Sequence, residues 1–245
     1  MNKKILVIGD GCYDIYAYCH CDRLSPEKPV PVLEVDSKEP KPGMAMNTYW
    51  NVKSIHKNVD IITNKNWTEV LKTRYVDTKS NHMFMRVDTK QPIDPIGKEI
   101  DKISEYDTII ISDYNKGFLS EDAIEYICSN HSQVFLDTKK PLDVWAMNAL
   151  YIKINNIEYE RSKEFIDKHL KQKVIQTKGG KGCVYNSKIY FVERQEIIDV
   201  SGAGDSFMAA LCVKYTETED IEQAIEFANI KASEVVSKRG TSLIS

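Results

Sequence analysis

The sequence predicts an α/β protein: a three-layer domain with a mostly parallel sheet between helices, and a smaller sheet set beside it. Two observations predict this. Short apolar runs alternate with helical segments from Thr108-Ile109-Ile110-Ile111-Ser112 onward, the pattern of parallel strands with crossover helices. The earlier strand-like segments lack such helices, so they are assigned to a small sheet covering one side of a site. A length of 245 residues, 42% hydrophobic and 28% charged, suits one sizeable domain over residues 1–245.

Residues 4–8 read as a buried strand ending in the turn Gly9-Asp10-Gly11. Residues 30–35 and 83–87 alternate apolar with other residues, as strands exposed on one face do. The lid strands are drawn from about residues 15–35 and 72–88. After the run at 108–112, Ser120 is a helix N-cap with Glu121 and Asp122 in the first turn. Strands follow at 134–137, 149–154 and 174–177, with a polar helix at 157–170. Residues 184–185 and 189–192 flank Asn186-Ser187-Lys188 as a hairpin. Two helices, at 204–215 and 221–237, close the chain.

Formal net charge is −3, from 33 basic and 36 acidic residues. No basic surplus points to nucleic acid and no charged block reads as a tail. Two lysines precede the apolar run Ile5-Leu6-Val7-Ile8, which is too short for a signal-peptide core or a membrane span. A cytoplasmic protein, without nucleic-acid or membrane partners, is the expectation. The six cysteines lack a disulfide-framework spacing. Cys19-His20-Cys21 finds no second ligand pair, so ordinary reduced thiols are expected rather than a metal site.

The most informative segment is Asp199-Val200-Ser201-Gly202-Ala203-Gly204-Asp205-Ser206, followed by Phe207-Met208-Ala209-Ala210-Leu211. Two glycines and an alanine leave the backbone nearly bare where a helix begins. Free N–H groups and the helix dipole make such a start an anion site. A carboxylate there, Asp205, is placed to take a proton from a hydroxyl attacking a phosphoryl group. The plain alternative is a tight turn with an Asp near a helix start. Asn155 and Glu158, three residues apart, either face phosphates from a helix start or form a cap. Thr177-Lys178-Gly179-Gly180-Lys181-Gly182 follows a strand and lacks the spacing of a Walker loop.

These residues together resemble the ribokinase-like (pfkB) carbohydrate kinases, and most nearly the branch that phosphorylates D-glycero-D-manno-heptose 7-phosphate. The resemblance rests on Gly202-Ala203-Gly204-Asp205, on Ile8-Gly9-Asp10 with Asp14 and Tyr16, and on Leu24-Ser25-Pro26-Glu27-Lys28-Pro29-Val30-Pro31-Val32. It extends through Lys72-Thr73-Arg74, Arg86-Val87-Asp88, Ser112-Asp113-Tyr114-Asn115-Lys116-Gly117, Asp137-Thr138-Lys139, Asn155-Asn156-Ile157-Glu158 and Gly240-Thr241. It implies a ribokinase-like α/β/α domain with a β-sheet lid, ATP and Mg2+, and phosphorylation of a sugar phosphate at its C1 hydroxyl.

Within that resemblance Asp205 is the general base, and the N–H groups of Gly202, Ala203 and Gly204 are the anion hole. Asn155 and Glu158 order magnesium and its waters, Glu158 through water, and Thr177, Gly179 and Gly182 lie against the nucleotide. Asp14, Gly43 and Asn47 meet the sugar, and Lys72, Arg74 and Arg86 meet its phosphate. Lys139 approaches a phosphate. Asp113 and Lys116 are open between turn and site roles. A homodimer through the lid sheet is the assembly to look for. Two departures bear on the sugar. Met44 stands where the family has a second glycine, and the chain is several dozen residues shorter than the family norm, the shortfall falling between Asn47 and Lys72. They keep two alternatives open: a pfkB kinase of another sugar, and a catalytically weak nucleotide- or sugar-binding homologue.

Overall fold

The computed structural model describes residues 3–192, 198–238 and 240–245. In chain order the elements are β1 (Ile5–Gly9), β2 (Gly11–Leu24), β3 (Pro31–Met44), α1 (Ala45–Ile55), β4 (Val59–Thr63), β5 (Leu71–Asp77) and β6 (Met83–Asp88). Then come β7 (Thr108–Asp113), α2 (Glu121–Asn130), β8 (Val134–Thr138), β9 (Tyr151–Asn155), α3 (Asn156–Phe165) and β10 (Val174–Thr177). The chain closes with β11 (Cys183–Tyr185), β12 (Lys188–Tyr190), α4 (Ala203–Thr218) and α5 (Ile221–Val236). Met1 and Asn2, at the head of the opening segment read above, lie outside the described residues.

The main sheet runs β12-β11-β10-β9-β8-β7-β1-β4. It is parallel from β4 to β10, and antiparallel through β11 and β12. The two-residue strand period divides its apolar side chains between two cores. Ile5, Val7, Ile110, Phe135 and Ile175 join the core under α1, α4 and α5. Leu6, Ile8, Ile109, Ile111, Leu136 and Ile152 join the opposite core under α2 and α3. These are the three layers expected. Ser120 caps α2 by accepting from the Ala123 N–H. The hairpin turn Asn186-Ser187 has positive φ at both residues, as a two-residue turn requires.

A second sheet, ordered β3-β2-β5-β6, forms the lid. Its strands run longer than the sequence pattern implied. Gly9-Asp10-Gly11 is no separate turn: β2 starts at Gly11, directly after Asp10, and the β2–β3 hairpin extends to Met44. Pro40 and Pro42 are tolerated because β3 is an edge strand. α1 and β4 were absent from the sequence reading. The helix read at 157–170 is α3 followed by a π turn over Ile166–Leu170. Among the described residues no helix is long and apolar enough to cross a membrane.

Candidate active site

The chemistry-bearing residues collect where the parallel strands end. Asp10 follows β1, Asp113 ends β7, Lys139 follows β8, Asn155 ends β9 and Thr177 ends β10. Ligands of open α/β sheets bind at these carboxyl ends. A cleft of about 870 Å³ opens there, lined by Tyr114, Lys139, Lys153, Asn155, Thr177, Gly179, Gly182 and by Gly202, Ala203, Gly204 and Asp205 at the start of α4. Val192, Val200, Phe207, Ala232 and Val236 give it an apolar wall.

Gly202 precedes α4 in the left-handed region at φ 81°, and no side chain caps the helix. A side chain there would press on Asn47 Nδ2. The uncapped start therefore keeps its anion-binding character. Asp205 lies just inside and is buried. Its Oδ1 accepts from the Tyr114 hydroxyl at 2.5 Å and its Oδ2 from Asn47 Nδ2 at 2.8 Å. Asn51 Nδ2 donates to Asn47 Oδ1 at 3.1 Å, which turns the Asn47 amide nitrogen toward Asp205. Burial pushes the Asp205 carboxyl above the ordinary Asp value, against the two hydrogen bonds and the nearby Lys153 ammonium.

A ladder of alternating charges forms the floor. Lys153 Nζ meets Asp137 Oδ2 at 2.5 Å, and Lys139 Nζ meets Glu158 Oε1 at 2.5 Å and Asp137 Oδ1 at 3.8 Å. Burial works against the charge on Lys139, but Asp137 and Glu158 outweigh it and hold its pKa raised. Asp137 Oδ1 is buried with no hydrogen-bond partner. A Cβ on Gly204 would lie 3.0 Å from Lys153 Nζ, so this ammonium stands against the start of α4. Asn155 and Glu158 form a capping box on α3. Asn155 Oδ1 accepts from the Ile157 and Glu158 N–H groups, and Glu158 Oε2 accepts from the Asn155 N–H.

On the lid the expected substrate residues separate. Asp14 and Arg74 are partners, Nη1 to Oδ1 at 2.5 Å, and a Cβ on Gly43 would crowd Asp14 Oδ2. Lys72 reaches the site, its Nζ 5.1 Å from the Tyr114 ring centre. Arg86 does not join them; it is exposed and its guanidinium is held by Asp88 at 2.8 and 3.1 Å. Met44 sits at φ 56°, the backbone region that favours glycine, and is buried against Cys12 and Val70. Asp113 is a loop anchor: both its oxygens accept from Lys140 Nζ at 2.8 Å.

Sequence reasoning assigned no role to three residues of this site: Tyr114, Asp137 and Lys153. Lys153 had a legible signal, a lone lysine inside the apolar strand Tyr151-Ile152-Lys153-Ile154. A charge in a buried strand needs a buried partner, and Asp137 is that partner. Tyr114 lay within the Ser112–Gly117 segment of the resemblance, but only folding brings its hydroxyl to Asp205.

Comparison with known proteins gives three findings. The model of the pfkB family carbohydrate kinases matches residues 125–245. The bifunctional protein HldE of Helicobacter pylori (strain J99) is 31% identical over 300 aligned positions, covering 99% of this chain. The protein of the same name from a Nitratiruptor species is 30% identical over 290, covering 98%. The chain spans 65% and 63% of the length of these two relatives. Among solved structures, ribokinase from Thermotoga maritima superposes with a TM-score of 0.74 at 16% identity, covering 98% of this chain and 94% of that one. Phosphofructokinase-2 from Escherichia coli gives 0.71 at 14%, covering 100% and 96%.

Proposed function

The chain belongs to the pfkB family of carbohydrate kinases, and on that premise we propose that it moves a phosphoryl group from ATP to a hydroxyl of a sugar phosphate. The acceptor we propose is a heptose 7-phosphate, at its C1 hydroxyl. One observation carries the reading: a buried carboxylate, Asp205, inside a helix start without a side-chain cap, at the end of a cleft floored by paired lysines and carboxylates.

The residues present fit ATP and Mg2+. The apolar wall suits a base, the turn at Gly179 and Gly182 leaves room beside it, and Lys153 and the α4 start suit phosphates. No cluster of three His, Cys, Asp or Glu residues able to hold a metal occurs among the described residues. That suits a cation held mainly by phosphate oxygens and water. The buried Asp137 Oδ1, which accepts no hydrogen bond, and the Glu158 carboxylate are the groups that would face it. When bound, ATP supplies the phosphoryl group and Mg2+ offsets its charge.

Asp205 takes the proton of the attacking hydroxyl as the new O–P bond forms and the bond to the ADP oxygen breaks. The N–H groups of Gly202 and Gly204, with Lys153, hold the developing negative charge; the Ala203 N–H expected beside them is given to the Val200 carbonyl at 3.3 Å. Asn155 and Glu158 fix the start of α3 beside Lys139. Asp14 and Asn47 meet sugar hydroxyls, and Lys72 and Arg74 the distal phosphate. Arg86 serves only if it leaves Asp88. A homodimer through the lid remains part of this reading.

Met44 favours a second reading, a kinase of a smaller sugar phosphate, because a methionine fills the place of a glycine. Competition between a heptose 7-phosphate and a smaller sugar phosphate separates the two, and competition with an unphosphorylated analogue tests the phosphate site they share. A phosphosugar is expected to outcompete its unphosphorylated analogue by roughly ten- to a hundredfold, the worth of one charged contact. Equal binding of free and phosphorylated sugars removes the phosphate site and the heptose-phosphate reading with it.

A further inference from the structure

We infer that Tyr114 is the positioning residue for Asp205: its hydroxyl, carried on a loop that Asp10 anchors, holds the carboxylate in the orientation and charge state a base needs. The inference rests on the reading of Asp205 as that base. Three observations carry it.

The Asp205 carboxylate has one donor on each oxygen, Tyr114 on Oδ1 and Asn47 on Oδ2. Two donors fix its plane and leave a lone pair on each oxygen for an acceptor hydroxyl. Tyr114 stays a donor, since burial and then the Asp205 charge push its own pKa well above the ordinary phenol value.

Both donors are registered on one buried residue. The Asp10 carboxylate accepts from the N–H groups of Tyr114, Lys116 and Phe118 at 2.8, 3.3 and 3.2 Å. The Asp10 carbonyl accepts from the Ala45 N–H at 2.9 Å, at the head of the helix that carries Asn47. A displacement of Asp10 would move both groups that hold Asp205.

The Tyr114 ring stands between the two halves of the site. Lys72 Nζ of the lid lies 5.1 Å from its centre and Lys139 Nζ of the cleft 5.3 Å. Cys12, Met44 and Val70 pack behind it. The other titratable groups facing Asp205 are Asp137, Lys139, Lys153 and Cys12, and Asp14 and Asp137 also act on the Tyr114 phenol.

Carbon-13 NMR of the free protein, with labelled aspartate carboxyls, reads the Asp205 titration without a substrate; Asp205→Asn identifies the signal. A hydrogen bond to the ionised form favours it, so Tyr114→Phe is expected to raise the midpoint by about one to two pH units. 3-Fluorotyrosine at position 114 keeps the shape and strengthens the donor, so it is expected to lower the midpoint. A midpoint that moves in neither variant, or moves the other way, overturns the inference, and the fluorinated protein decides if Tyr114→Phe does not fold. With an accepted sugar, the acid limb of kcat/KM shifts with the same sign. A wild-type protein that phosphorylates no sugar defeats the kinase reading, while the titration still decides whether Tyr114 sets the Asp205 charge.

Discussion

Asp205 is pulled two ways. Burial favours its protonated form, while Tyr114, Asn47 and Lys153 favour its charge, and burial wins. A base works only when deprotonated, so kcat/KM should fall with an acid limb above the ordinary Asp range near 4. The same shift fixes a stability effect. A carboxyl whose pKa is raised by folding contributes stability below its unfolded value, and that stability is lost as pH rises through the folded value. Asp205→Asn should therefore hold or raise the thermal midpoint at neutral pH while turnover falls by roughly 10²–10⁴, with ATP affinity little changed. A large loss of stability in that variant would give Asp205 a structural role instead. Met44 sets a second competition. Its φ of 56° strains the backbone by about 1–3 kcal/mol, but its buried side chain contributes more, since truncating a buried Met costs about 2–5 kcal/mol. Urea unfolding of Met44→Gly should show a net loss of about 1–3 kcal/mol; a gain would mean that strain dominates.

The elements around the site differ in how legibly they are written. Apart from β4, the parallel strands were read directly, because runs such as Ile5-Leu6-Val7-Ile8 and Ile109-Ile110-Ile111 are buried on both faces and stay apolar throughout. α1 was not, because polar residues make up half of its buried face, beside Ala45, Met46 and Val52. Asn47, Thr48 and Asn51 are buried, with Asn51 Oδ1 accepting from Ser206 Oγ and the Ile244 N–H, each at 3.1 Å. A helix that buries amides gives no apolar period. The full reach of the lid hairpin was hidden as well, since much of β3 is exposed and carries prolines and lysines. The capping box of α3 was foreseen as the alternative to a nucleotide role, and Glu158 also pairs with Lys139. Gln keeps the box, so Glu158→Gln should change stability little yet raise the magnesium needed for activity. An unchanged magnesium titration leaves Glu158 as a cap alone. The glycine turn gives a paired test. A Cβ on Gly182, at φ 86°, would overlap the Tyr190 carbonyl, whereas Gly179, at φ 57°, faces open space. Gly182→Ala should raise the KM for ATP and cost more stability than Gly179→Ala, for which about 1 kcal/mol is expected; equal effects would show that the turn adapts.

At the scale of the molecule, the sheet brings four strand ends and one helix start to a single cleft, and the lid carries the charged pair Asp14–Arg74. The cleft-lining candidates were legible because they sit in short local patterns such as Gly202-Ala203-Gly204-Asp205 and Thr177-Lys178-Gly179-Gly180-Lys181-Gly182. The sugar side was less so: Lys72, Arg74 and Arg86 share strands but not a fate, since Asp14 and Asp88 each claim an arginine through the fold. The alignment with the Helicobacter relative is longer than this chain, 300 positions against 245 residues, so that relative carries segments absent here, and the acceptor is the finer question. Phosphoryl transfer with Asp205 as the base is the chemistry on which the rest depends. The most direct measurement is product formation from ATP across a panel of sugars and sugar phosphates, followed by mass spectrometry for wild type and Asp205→Asn side by side. The account predicts a sugar phosphate gaining one phosphoryl group in the wild type, at a rate at least roughly a hundredfold above the variant; transfer to no sugar, or equal rates in the two proteins, would contradict it.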